Sequence, residues 1–141
     1  MTSPFCWAAL PLTRDLEPFG SKMLRSLRLV PHLRRNASST AAKLVEELGD
    51  AATVRKFMLV AHAIGAVWPE PLAVCTPCGC MVTHDETLVL HLFAAAVRED
   101  RPAFDQYAHD LLDEAERNHL YIAMLNFIVH YERSALAPPA A

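Results

Sequence analysis

From residue 21 to about residue 133, apolar residues recur every three or four positions, and Pro, Gly and Asp separate the segments so marked. That period lays apolar side chains along one face of an α-helix, so the chain must bury helix faces against one another. Strand-like alternation of apolar and polar residues is rare. The expected fold class is all-α, a compact bundle of about five helices with an irregular N-terminal arm. With 52% hydrophobic residues in 141, there is enough apolar material for one core, which argues against a disordered chain.

Pro4, Pro11, Pro18 and Gly20 break up residues 1–20, the expected arm. A single bundle domain is then expected over 21–134, with a frayed tail at 135–141. Ser21 caps a helix over 21–30, with Met23, Leu24, Leu27 and Val30 inward, Lys22, Arg25 and Arg28 on the other side, and Pro31 ending it. A second helix starts at Ser38 or Ser39 and runs to Leu48, closed by Gly49. Asp50 caps a third, whose apolar face holds Val54, Phe57, Met58 and Ala61, and Trp-Pro-Glu-Pro at 68–71 stops it. Thr83 with Glu86 forms a capping box for a helix that is apolar nearly all round over 88–97 and is expected at the centre. Asp100 and Pro102 restart the chain into one long helix over 103–133, about 45 Å at 1.5 Å per residue. The expected core comprises Val54, Phe57, Met58, Ala61, Leu88, Leu92, Leu112, Ile122 and Leu125, and His91 is expected to be buried with it.

Charge is uneven. Residues 1–43 carry seven Lys/Arg against two Asp/Glu, and the remainder carries six against fourteen. A basic front can meet nucleic acid or dock on the acidic back. Three outward bases with no helix-turn-helix pattern favour docking, and nucleic acid is not the expected partner. No apolar run approaches the roughly 18 residues of a transmembrane span. Residues 21–40 have the Arg and Ser of a transit peptide, but Asp15 and Glu17 argue against one.

Three of the four cysteines crowd into Cys75-Thr-Pro-Cys78-Gly-Cys80, with His84 just inside the next helix. Such crowding is unlike a secreted disulfide scaffold, so reduced thiols and a cytoplasmic location are expected. Thiolates two or three residues apart on a Pro/Gly loop can chelate zinc, with Cys75, Cys78, Cys80 and His84 completing a tetrahedral Cys₃His set. Cys-x-Pro-Cys can equally act as a redox pair, though no βαβ context surrounds it, and small soft Cys side chains can simply pack a loop. Glu116-Arg-Asn-His119 is half of a di-iron motif, but Glu86 and His91, five apart, do not supply the other half.

The stretch 69–93, with its prolines, its Cys-x-Pro-Cys cluster, Thr-His-Asp-Glu and a leucine run, resembles uncharacterised small helical proteins of alphaproteobacteria. The resemblance implies a bacterial cytosolic origin and a helical fold, and carries no activity. The expected function is that of a helical interaction or regulatory protein. A homodimer is expected from the apolar surface of residues 120–129, which points in nearly every direction. The alternatives are a metal- or thiol-dependent enzyme using the Cys/His loop, and a nucleic-acid binder through 21–43.

Overall fold

The computed structural model describes residues 18–74 and 81–136. Among the described residues it contains six α-helices and no strand: α1 Pro18–Leu29, α2 Ala37–Leu48, α3 Ala51–Val67, α4 His84–Val97, α5 Arg101–Ala108 and α6 Glu114–Leu136. The all-α expectation holds. A 3₁₀ turn, Val30–Arg34, follows α1 where Pro31 prevents the α-helix from continuing. No helix among the described residues is long and apolar enough to cross a membrane.

Asp50, Thr83 with Glu86, Asp100 and Gly49 start and stop helices as expected, but two expected caps do not: α1 begins at Pro18, within the expected arm, so Ser21 lies inside it, and α2 begins at Ala37 after Asn36, so Ser38 and Ser39 lie inside it. A proline suits a first helical position, where no N–H is needed. The rest of the expected arm, 1–17, and residues 137–141 of the expected tail lie outside the described residues. Asp50 accepts the Thr53 N–H at 2.7 Å and opens α3. Thr83 and Glu86 close both arms of their capping box at the start of α4. Asp100 accepts the Ala103 N–H at 3.1 Å and opens α5. Gly49 ends α2 at φ 108°, a conformation costly for any residue with a Cβ, and a Cβ there would also lie 3.3 Å from Ser134 Oγ. At the end of α4 the left-handed position falls on Glu99 (φ 52°), which donates to Ala96 O while Asp100 donates to Ala95 O.

The expected 103–133 helix is two helices. After Ala108 the chain turns, and Asp113 begins α6 by accepting the Glu116 N–H at 2.8 Å while the Glu116 carboxylate accepts the Asp113 N–H at 2.9 Å. This reciprocal cap makes a boundary where the apolar period alone reads as continuous. Asp105 then ties the two helices, accepting from Arg101 Nε at 2.9 Å and Arg117 Nε at 3.2 Å.

Helices α3 and α6 run antiparallel and form the most extensive helix pair. Ser134 Oγ donates to Asp50 Oδ2 at 2.8 Å at one end, and Phe57 meets Phe127 edge-on, 5.4 Å between ring centres, further along. Helix α4 closes the core through Phe93, beside both rings. Helix α1 crosses back along α4, with Phe19 near Phe93 and Arg28 at Glu86.

Of the expected core, Phe57, Leu92 and Leu112 are buried, while Val54, Met58, Ala61, Leu88 and Leu125 are half-buried. Ile122 is 48% exposed and His91 stands outside the core, stacked on Tyr107 at 4.8 Å. Both corrections have one cause: a helix that is apolar on most sides carries no phase that says which side faces inward.

Asp50 holds two helix ends, and its acidity follows. The Thr53 N–H, then the Ser134 hydroxyl, lower its pKa from 3.8 to about 2. A lowered carboxylate pKa contributes stability above the unfolded value, and that contribution disappears as pH falls through the folded value. Between about pH 4 and pH 2 the wild type is therefore expected to lose melting temperature faster than Asp50→Asn, which keeps the cap and removes the titration. Parallel melting curves against pH for the two proteins would remove Asp50 from this role.

Candidate functional site

Two places combine accessible residues with a built geometry: the neck of the cysteine loop and a groove between α3 and α6. Cys75, Cys78 and Cys80 lie outside the described residues. His84, their expected fourth zinc ligand, is the first residue of α4 and is exposed. Among the described residues no group of three His, Cys, Asp or Glu is placed to hold a metal.

The neck below these cysteines is closed by hydrogen bonds. Thr83 Oγ1 donates to Ala73 O at 2.6 Å, and the Ala73 N–H donates to Asp85 Oδ2 at 2.8 Å, so the two ends of the loop meet. The same Thr83 oxygen accepts the Glu86 N–H at 3.0 Å, which joins the neck to the start of α4. Beneath it lies a buried ion pair. Arg28 Nε donates to Glu86 Oε2 at 2.8 Å, Arg28 Nη2 donates to Glu86 Oε1 at 3.0 Å and to Met81 O at 2.6 Å, and the two side chains are 1% and 0% exposed. The fork geometry suits a guanidinium and a carboxylate, and each hydrogen bond to a charged group is of the stronger kind.

Arg28 therefore does not belong with Lys22 on an outward basic face. It follows Leu24 by one helical turn and faces the core, where it needs the carboxylate. Arg25 also turns to the protein, donating through Nε to both oxygens of Glu47 at 2.9 Å. Two of the three cations in the α1 segment thus hold helices together, which weakens the nucleic-acid alternative for 21–43 and fits docking of the basic front on acidic partners.

The second place is a groove of about 330 Å³ along the antiparallel α3/α6 pair. Its apolar lining is Leu59, Ala63 and Ala66 from α3 with Ile122 and Ala123 from α6. Lys56, His62, His119 and Asn126 supply the polar lining. Leu59 is 59% exposed and Ile122 48%, large apolar side chains lining the groove together with three alanines. His62 and His119 thus meet in one groove, while His91 lies elsewhere, against Tyr107. Glu116 and His119 do not act together: the carboxylate caps α6 and the imidazole lines the groove.

Leu59 and Lys56 carry little signal of a site in the sequence, because Leu59 sits among Arg55, Lys56 and His62, on the side of α3 opposite its apolar face. An isolated Leu among polar side chains is an ordinary surface residue until a second helix brings Ile122 into the same groove. Comparison with protein-family models, with curated proteins and with solved structures returned no match.

Proposed function

We propose that the protein is a helical docking module whose α3/α6 groove receives a segment of a partner. The observation that carries this reading is the open apolar groove with Leu59 and Ile122 exposed in its lining, one from each helix. Large side chains so exposed on both sides of a concave surface mark interaction sites more often than they serve the fold that displays them. Val129, 48% exposed and two turns along α6 from Ile122, extends the apolar track. A homodimer is the narrower form of the same reading, with a second copy as the partner. A cytosolic site of action accords with the crowded cysteines and belongs to the same proposal.

The test is photo-crosslinking from position 59 or 122 in the native host. A discrete adduct that disappears when Ala66→Trp fills the groove supports the reading, and an adduct of twice the chain mass identifies a second copy. Absence of any discrete adduct at both positions refutes it.

The closed neck supports a second role, for the cysteine loop. Cys75, Cys78, Cys80 and His84 would hold zinc as a structural clip, since four protein ligands leave no open coordination position. The supporting observation is that Ala73, Thr83 and Asp85 bring the loop ends together, which shortens the chain a metal has to order. Stoichiometric zinc that is lost in Cys78→Ser, together with stability, supports the clip. A thiol count that changes reversibly by two per chain with oxidant assigns the loop to redox sensing instead. Metal-free protein whose stability is unchanged by Cys78→Ser leaves the cysteines as packing.

A further inference from the structure

We infer that the occupant of the α3/α6 groove is an acidic amphipathic helix of another protein. This rests on the docking reading above and adds the chemistry of the partner.

The shape argues for a helix. On α3 the apolar lining recurs at Leu59, Ala63 and Ala66, positions i, i+4 and i+7, and on α6 the lining recurs at residues 119, 122, 123 and 126. Two antiparallel helices thus bound the groove for about 10 Å, a straight trough as long as two turns of an incoming helix. A helix laid in such a trough presents anchors at i, i+3 or i+4 and i+7. Ala63, Ala66 and Ala123 in the lining are small enough to admit its backbone closely, and Leu59 and Ile122 offer it apolar contact.

The charge argues for acid. The chain has 16 Asp and Glu against 13 Lys and Arg, yet none of those acids lines the groove. Lys56 contributes a fixed cation there, and His62, His119 and Asn126 contribute N–H donors. Arg133, exposed and one turn beyond Val129, continues the cationic side along α6. Of the acids on α6, Glu132 lies half a turn round from Ala123, on the flank away from α3, and Glu116, two turns before Ala123 and on its side, is engaged by the Asp113 N–H at 2.9 Å. Asp50, at the end of α3, is already engaged by Thr53 and Ser134. Carboxylates on both flanks of an incoming helix would therefore meet donors and a cation. A second copy bound about a dyad would instead set Lys56, His62 and His119 against the same residues with no acid between them.

The test uses two synthetic helical peptides with identical Leu anchors at i, i+4 and i+7, one flanked by Glu and one by Lys, with fluorescence anisotropy on the full chain. The Glu peptide is expected to bind with Kd of about 10–100 micromolar. Lys56→Glu is expected to weaken it about tenfold and to strengthen the Lys peptide. Ala66→Trp abolishes both. Equal binding of the two peptides overturns the acidic partner and leaves the docking reading standing. So does a dimer in sedimentation equilibrium that Ile122→Asp dissociates. Displacement of the Glu peptide by a short DNA duplex, with no dependence on its Leu anchors, overturns the helix in favour of a polyanion. Failure of both peptides, with a monomer in sedimentation and no crosslink from position 59 or 122, removes the inference together with the docking reading.

Discussion

Arg28→Met is expected to lower the unfolding free energy by about 3–5 kcal/mol, the cost of leaving one member of a buried ion pair without the other. Glu86 is fully buried, and its carboxylate receives both Arg28 nitrogens as well as the Thr83 N–H. Taking away the guanidinium removes a paired countercharge from the buried carboxylate, and Met81 O loses the Arg28 donor at the neck of the cysteine loop. A neutral pair should behave differently. Arg28→Met combined with Glu86→Gln keeps an acceptor for the capping box and buries no charge, so most of the loss should be recovered. Urea denaturation followed by circular dichroism measures both. A single-variant loss below about 0.5 kcal/mol, the scale of ordinary surface changes, would show that the pair does not hold α1 to α4. A double variant no better than the single one would move the effect from charge to packing.

How much of this was legible beforehand depends on whether the signal was local. Asp50, Asp100 and the Thr83/Glu86 box were readable because a cap acts within three residues of itself. Gly49 was readable for the same reason. The Asp113/Glu116 cap carries an equally local signal, yet it was masked by an apolar period that runs through it. Burial of Arg28 had half a signal, its place one turn after Leu24. The other half, the carboxylate 58 residues on, required the fold.

The candidate groove was harder to see. Ile122 belongs to a helix whose apolar residues spread around most of its circumference, and Leu59 stands apart on the polar side of α3, so neither sequence states that the two will share a groove. That choice is made by the antiparallel pairing of α3 with α6, and by α4 taking the inner side through Phe93. The apolar excess on residues 120–129 was legible. Its location was not. At the cysteine loop the neck became visible only when Ala73 met Thr83 and Asp85, ten and twelve residues away.

The phase of α6 can be fixed by two truncations on the same helix. Phe127 is fully buried, at 5.4 Å from Phe57 and 6.0 Å from Phe93, with Tyr131 beside it at 5.8 Å. It is the ring at which α3, α4 and α6 meet, and its edge-on contacts with Phe57 and Phe93 add to its burial. Phe127→Ala is expected to cost about 3–5 kcal/mol, since the surrounding rings are held by three helices and can collapse only partly into the space. Ile122 lies five residues earlier, about 140° round the helix at 3.6 residues per turn. At 48% exposed, Ile122→Ala should cost under about 1 kcal/mol. Comparable losses at the two positions would mean that α6 is rotated from its described orientation, and the groove would go with it. A large loss at Phe127 with a small one at Ile122 leaves Ile122 on the outside of a stable bundle, where its apolar surface is available to a partner rather than required by the core.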